Sequence, residues 1–301
     1  MKHSSIKKVL ITGANGFIGK NLAINLKEDN IDILTFLRGD SDDLLMKKLK
    51  EADIVVHLAG ENRPNSSDMF ERVNVGLTAK IAEHLININS DIPIIFASST
   101  QAQLNNLYGR SKLNAENLLE DLSMKNGNPV SIYRLPGVFG KWCRPNYNSV
   151  VATFSYNVAN GLPIKVNDPK KILQLVYIDD VIKFFKQTLH YRSNGVERKC
   201  ILPEYKITLE ELANQIQVFD NCRSSLKSEK VGSGITRALY STYVSYLPVE
   251  RFSYEIPYYS DERGVFAEMI KTLDSGQFSF FTAFFNSVTL VALDAILIGT
   301  A

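Results

Sequence analysis

The 301-residue chain predicts a doubly wound α/β domain, a parallel sheet covered by helices on both faces, followed by the start of a small β domain. Three observations predict it. Short β-branched runs alternate with longer segments of helical period through the first half of the chain. A glycine trio at 13, 16 and 19 lies between the first such run and the first helical segment. From about residue 246 the texture turns to aromatics and turn residues, as in short strands. The expected domains are therefore 1–245 and 246–301.

Each element has its own signal. "KKVLIT" is a continuous apolar run of strand length, "FIGKNLAINLKE" has helical period, and "DILTF" and "ADIVVHLAG" are further buried strands, the latter ending at a glycine. His57, near the end of that strand, reads as a residue lining the cleft. "DMFERVNVGLTAKIAEHLI" is helical, "IPIIFASS" a strand, "YGRSKLNAENLLEDLSM" helical and "PVSIYRL" a strand. After "LPGVFGKWCRPNYNS" the order loosens through "VVATFSYNVANG", "LQLVYIDDVIKFFKQTLH" and "TLEELANQIQVF". Late additions of this kind to a nucleotide-binding sheet form the substrate side of its cleft.

Composition removes several function classes. Hydrophobic residues make up 45% of the chain and charged residues 22%, so a sizeable core is available. Lys and Arg number 34 against 32 Asp and Glu, and they form no basic tract for nucleic acid. Cys143, Cys200 and Cys222 are odd in number and widely spaced, which gives neither a disulfide framework nor a C-x-x-C site and fits a reducing cytoplasm. Glycines and Asn15 interrupt the N-terminal apolar run where a signal peptide needs continuity, so it reads as mature structure. Residues 278–301 carry one charge, Asp294, and are long enough to span a bilayer, but their aromatic, β-branched texture reads as strands. No membrane association is expected.

"TGANGFIG" carries the first chemistry. Gly13, Gly16 and Gly19 permit a tight turn, close approach to a pyrophosphate and close helix packing, and the helix N-terminus favours the negative charge. This is the Rossmann pattern of dinucleotide binding. An NAD site places an acid about 20 residues on, at the end of the second strand; here "TFLRGD" offers Arg38, which suits a 2'-phosphate and points to NADP(H). The other reading makes Arg38 a solvated side chain and gives Asp40 the acid's part. "FASSTQA" puts Ser99 and Thr100 at the carboxyl edge of the sheet, where either hydroxyl suits a substrate carbonyl. In "YGRSK", Tyr108 and Lys112 share one helix face, so an ammonium near the phenol would lower its pKa and let it trade a proton near neutrality. The competing reading is the ordinary polar start of a helix.

Taken in order, the glycine trio, "HLAG", "NVGLT", "SST", "YGRSK" and "YIDDV" resemble the extended short-chain dehydrogenase/reductases that act on nucleotide sugars. "RLPGVFGKWCRPNYNSVVATF" and "DERGVFAEMIKTLDSGQFSFFTA" narrow the resemblance to the bifunctional CapF/WbjC type, an NADPH-dependent reductase joined to a metal-binding cupin with 3-epimerase activity. The resemblance implies catalysis by Tyr108 and Lys112 with Ser99 or Thr100. It implies a dinucleotide site that takes in Asn15, Phe17, Ile18, Leu58, Ala59, Gly60 and Asn74 besides the glycines, Arg38 and Lys112. Arg134, Lys141 and Asn148 are the expected ligands of a UDP-sugar. The implied reaction is 4-reduction of a UDP-4-keto-2-acetamido-2,6-dideoxyhexose, a step toward UDP-N-acetyl-L-fucosamine for capsule or O-antigen, in a cytoplasmic homodimer. After "FTA" the family continues into a histidine-rich metal motif. This chain reads "FFNSVTLVALDAILIGTA", and its four histidines, His3, His57, His84 and His190, lie earlier. A truncated cupin-like segment without metal or epimerase activity is therefore expected. The alternatives are an NAD-dependent nucleotide-sugar 4-epimerase or dehydratase, and a dinucleotide-sensing protein without turnover.

Overall fold

Strand and helix alternate from β1 (Lys8–Thr12) through α1 (Phe17–Glu28), β2 (Asp32–Phe36), α2 (Asp42–Glu51) and β3 (Ile54–His57). A π-helical turn over Phe70–Val75 then leads into α3 (Gly76–Asn87), β4 (Ile94–Ser99), a 3-10 turn over Thr100–Gln103, α4 (Leu107–Asn126) and β5 (Val130–Leu135). The chain goes on through β6 (Gly137–Phe139), α5 (Val150–Ala159), β7 (Ile172–Tyr177), α6 (Ile178–Leu189) and β8 (Val196–Lys199). These elements come from a computed structural model that describes residues 6–63, 66, 68–191, 194–272, 276–285 and 288–296, with 283–285 and 288–296 given by backbone alone. The chain divides into two units: Met1–Val138 with Gln174–Tyr205, and Phe139–Leu173 with Lys206–Ala301.

The first unit is built on a six-stranded sheet in the order β2-β1-β3-β4-β5-β8, parallel throughout. Its central strands are buried on both faces, which is why they read as unbroken apolar runs rather than alternating ones. Leu10, Val55, Phe96 and Ile132 pack with Leu45 and Leu49 of α2, Ile81 and Leu85 of α3, and Leu119 of α4. On the opposite face Tyr133 meets Phe185 of α6, ring centroids 5.0 Å apart, and α6 packs beside α1. The doubly wound class holds. From β1 the chain steps outward to β2, then returns to the other side of β1 as β3, so the direction of winding reverses between β1 and β3. Ligands of such sheets bind in the crevice outside the carboxyl ends of the strands at that point.

α2 went unread in the sequence although its signals were present. Ser41 caps it by accepting from the Leu44 amide, and Leu45 and Leu49, one turn apart, face the core. The segment "DMFERVNVGLTAKIAEHLI" is helical as expected, but its first half is wound as the π-helical turn. Among the described residues no helix is long and apolar enough to cross a membrane.

In the second unit the chain runs through β9 (Tyr205–Thr208), α7 (Leu209–Ser225), β10 (Lys227–Ser228) and α8 (Gly234–Val244). It ends in β11 (Tyr258–Asp261), β12 (Gly264–Thr272), β13 (Gln277–Phe285) and β14 (Val288–Ile296). β11 to β14 form antiparallel pairs in sequence order, and β10 adds in parallel to the end of β12 at Lys271 and Thr272. The expected strands in the aromatic tail are present; the side chain of Asp294, on β14, lies outside the described residues.

A boundary after residue 245 falls inside this unit, and the residues just beyond it are tied to the helices. Arg251 pairs with Asp220 of α7 at 2.7 Å and donates to the Ala159 carbonyl that ends α5 at 2.8 Å. The Tyr243 hydroxyl of α8 donates to the same Asp220 oxygen at 2.7 Å. Asp220 is thus the common partner of two segments, and losing one leaves a half-buried carboxylate under-satisfied. Arg251→Ala should lower stability by about 1–3 kcal/mol, the worth of charge-assisted hydrogen bonds, read from the midpoint of urea unfolding. A midpoint equal to wild type would show that residues 246–251 add nothing to the helical part.

Candidate active site

The glycine loop has its shape for reasons that can be stated atom by atom. Gly13 sits at φ +73°, and a Cβ there would lie 2.8 Å from the Ala59 amide nitrogen. A Cβ on Gly19 would lie 2.3 Å from the Gly13 carbonyl oxygen, so α1 can approach the loop only at a glycine. Gly16 closes the turn by donating to the Gly13 carbonyl at 2.9 Å and stands as the N-cap of α1. Among the described residues no side chain caps that terminus, and its first turn carries no acid. Its amides and dipole are open to an anion, as a pyrophosphate requires.

Gly13, Asn15, Gly16, Arg38, Ala59 and Gly60 line one cavity of about 610 Å³ at the winding reversal. Phe17, Ile18 and Gly19 form the first turn of α1, and Leu58 follows β3. Sequence reasoning missed Phe36, Leu37, Gly39, Val73 and Leu77 as lining residues. Val73 and Leu77 stand four apart on either side of Asn74, an apolar pair that the spacing alone would have put on one helix face. Arg38 is exposed at the mouth and pairs with Glu61 at 3.0 Å. Asp40 is engaged elsewhere: its carboxylate accepts from the Leu37 amide at 3.0 Å and pairs with Lys48 at 3.3 Å, and the amide bond holds its pKa below the usual value.

His57, expected to line the cleft, is instead fully buried beneath it. Thr78 gives its hydroxyl proton to the Asn74 carbonyl at 2.7 Å, so it can only accept from His57 Nε2, 2.9 Å away. The imidazole is therefore protonated at Nε2, and Nδ1 accepts from Thr12 Oγ1 at 2.7 Å. Thr12 Oγ1 in turn accepts from the Ala59 amide at 3.1 Å. Burial, with Lys112 adding to it, lowers the His57 pKa to about 3. Asn74, on the π-helical turn, carries the chain onward: Nδ2 donates to Ser111 Oγ at 2.9 Å, and the Ser111 hydroxyl donates to the Tyr108 carbonyl at 2.8 Å.

Tyr108 stands in the first turn of α4, which is capped by Asn106; the Asn106 side chain accepts from the Gly109 amide at 2.8 Å. A Cβ on Gly109 would lie 2.1 Å from the Gln101 carbonyl oxygen, so the 3-10 turn after β4 presses directly on the start of α4. That contact brings Ser99 to Tyr108. The Ser99 hydroxyl hydrogen-bonds the phenol and lowers its pKa, but burial acts more strongly and pushes it up. Thr100, by contrast, opens the 3-10 turn.

Lys112 is buried one turn further on; its Nζ donates to the Ala97 carbonyl at 2.8 Å and lies 4.6 Å from the centroid of the Phe96 ring. Burial lowers its pKa to about 8, against the opposing effect of Glu116. This corrects one expectation. Lys112 directs its ammonium to Ala97 rather than to the phenol, and the Tyr108 pKa is raised, not depressed.

Arg134, expected at the substrate, is committed to structure. Its guanidinium spans both oxygens of the fully buried Glu116, at 3.0 Å from Nε and 2.6 Å from Nη2, and the Ser98 hydroxyl donates to the same carboxylate. A buried carboxylate needs these partners, and they take the fork that a sugar nucleotide would otherwise use. Lys141 and Asn148 belong to the second unit, where Lys141 Nζ lies 5.7 Å from the centroid of the Trp142 ring.

Comparison with known proteins agrees with this geometry. Residues 9–201 match the NAD dependent epimerase/dehydratase family. The chain is 47% identical over 277 residues to the UDP-2-acetamido-2,6-beta-L-arabino-hexul-4-ose reductase of Pseudomonas aeruginosa, spanning 92% of this chain and 74% of that protein. The crystal structure of the capsular polysaccharide assembling protein CapF of Staphylococcus aureus superposes with a TM-score of 0.82 at 39% identity, covering 91% of this chain and 75% of that one. The UDP-glucose 4-epimerase of Thermus thermophilus, solved with NAD, shares the fold at a TM-score of 0.65 and 16% identity, over 79% of this chain and 98% of that one. With its glycine loop, its Tyr108–Lys112 helix and these relatives, the chain belongs to the NAD dependent epimerase/dehydratase family and, within it, to the CapF/WbjC type.

Proposed function

We propose that the protein is an NADPH-dependent 4-reductase of a UDP-4-keto-2-acetamido-2,6-dideoxyhexose. One observation carries the reading: the Ser99 hydroxyl meets the Tyr108 phenol where β4 ends and α4 begins, and the Lys112 ammonium, one turn further along α4, stands beside Gly60 of the glycine-loop cavity. The substrate class rests on the Pseudomonas aeruginosa reductase, whose name specifies a 4-ulose sugar nucleotide.

The cavity fits the cofactor, because the glycines leave room at Gly13 and Gly19 that a Cβ would fill and the α1 terminus is open to a pyrophosphate. Gly13, Gly16 and the α1 amides would hold the pyrophosphate, and Arg38 a 2'-phosphate. The bound dinucleotide supplies hydride to C4. Tyr108 holds the proton that the developing C4 alkoxide needs, and its raised pKa keeps the phenol protonated at neutral pH. Ser99, bonded to that phenol, orients it and favours the phenolate left when the proton goes, while Thr100 opens the 3-10 turn that follows. Lys112, charged below about pH 8, offsets negative charge as it forms. Asn74 fixes the carboxyl end of the site from the π-helical turn.

Lys141 and Asn148 are proposed as sugar-nucleotide ligands on the strength of the resemblance alone, as are the cytoplasmic location and the homodimer. Residues 1–245 would carry the reductase and 246–301 a cupin-like segment.

Tyr108→Phe should lower turnover on the order of a hundredfold or more while NADPH binding stays near wild type, because it deletes a positioned general acid. Near-normal turnover of purified Tyr108→Phe with a UDP-4-keto-6-deoxy sugar would sink the assignment. The pH profile of kcat/KM should bend downward near pH 8 as Lys112 of the free enzyme loses its proton. A plateau continuing well into the alkaline range would remove Lys112 from the chemistry. Arg38→Asp should weaken NADPH far more than NADH, because a carboxylate repels the 2'-phosphate but accepts from a 2'-hydroxyl. Fluorescence titration of both cofactors decides, and equal losses would take Arg38 away from the ribose.

A further inference from the structure

The guanidinium that would recognise a 2'-phosphate already has an anionic partner. Arg38 Nη2 meets Glu61 Oε2 at 3.0 Å, with Arg38 largely exposed and Glu61 largely covered. Glu61 is held in that position from three directions. Its amide donates to Asn74 Oδ1 at 2.7 Å, its carbonyl accepts from Asn74 Nδ2 at 3.1 Å, and its second carboxylate oxygen accepts from the Arg63 amide at 3.4 Å. The backbone is thus clamped by a buried asparagine, and the carboxylate is presented at the end of "HLAGE", directly after Gly60 of the cavity lining. A swinging surface glutamate would lose side-chain entropy to make such a pair; this one is already ordered.

We propose that Glu61 is a specificity-determining residue, an internal competitor for Arg38 that a 2'-phosphate must displace and that a 2'-hydroxyl need not. The inference deepens the NADPH reading and rests on it, because it assumes that Arg38 takes the 2'-phosphate. Two effects have the same sign. The phosphate must break the Arg38–Glu61 pair to gain the bidentate fork, and the fixed carboxylate then repels a group carrying nearly two negative charges. NADH asks for neither. Glu61 therefore narrows the preference that Arg38 creates, so that both reduced dinucleotides remain usable. The narrowing is strongest at low ionic strength, because the pair lies at the exposed mouth of the cavity.

The experiment is equilibrium binding of NADPH and of NADH, by fluorescence titration without substrate, to wild type, Glu61→Gln, Arg38→Met and the double variant. Glu61→Gln keeps the amide, the carbonyl and the shape of the side chain. Its melting temperature, measured alongside, checks that the Asn74 clamp survives. The expected result is an NADPH Kd lowered by about two- to fivefold, the scale of one exposed ion pair, with the NADH Kd unchanged. In the Arg38→Met background the gain should shrink to the residual repulsion. Equal shifts for the two cofactors, or a gain of the same size without Arg38, would overturn the competition. Should Glu61→Gln melt early, Glu61→Ala at matched stability reads the same selectivity ratio. If Arg38→Met alone weakens NADPH and NADH equally, the 2'-phosphate reading fails first and this inference falls with it; a selective loss in Arg38→Met with no effect of Glu61→Gln overturns the inference alone.

Discussion

The site depends on one buried hydrogen-bond chain whose proton order is fixed. It runs from the Ala59 amide through Thr12, His57, Thr78 and Asn74 to Ser111 and the Tyr108 carbonyl. Each hydroxyl along it gives its one proton in a single direction, so no link can reverse without leaving a buried donor or acceptor unpaired. Strand β1, the end of β3, the π-helical turn and α4 are thereby set relative to one another within one unit. Asn74, on the π-helical turn, is the branch point: its carbonyl accepts from Thr78 while its side chain reaches both Glu61 and Ser111.

On the other side of α4 a second buried set answers a different problem. Lys112 and Glu116 are one turn apart in an interior with little water, and an isolated charge there would be costly. Arg134 and Ser98 complete the carboxylate, while Ala97 and the face of Phe96 receive the ammonium. The result is an interior lysine that titrates close to physiological pH instead of far above it. An ammonium poised in this way offsets nearby negative charge only while it keeps its proton, so its help depends on pH where that of a solvated lysine does not.

Much of this was legible in the sequence, and what was not has physical causes. The glycine positions could be read because a positive φ and close backbone contact each demand a glycine at fixed spacing, and Tyr108 with Lys112 because helical period puts them on one face. The strands of the sheet announced themselves as unbroken apolar runs. Arg134 was misread because its partner, Glu116, lies 18 residues away on another element, a distance that only the packed fold closes. His57 was misread for the same reason: its two threonines lie 45 and 21 residues away. Glu61 carried no local signal, since one acid after a glycine looks like any loop residue. The π-helical winding before Gly76 was invisible because no residue type in Phe70–Val75 marks a switch from i→i+4 to i→i+5 bonding.

The neutrality of His57 sets how the protein meets acid. Its pKa stands near 3 in the folded chain against 6.5 ordinarily, so between those values the unfolded chain binds a proton that the folded one refuses. Stability therefore falls as pH drops through that range. An imidazolium has two donors and no acceptor, so a proton on Nδ1 would turn the Thr12 hydroxyl proton away, while Thr12 Oγ1 can still accept from the Ala59 amide. Through mild acid the folded chain keeps the imidazole neutral and the Thr12 contact at the glycine loop made, so the cost of acidification falls on the stability of the fold as a whole.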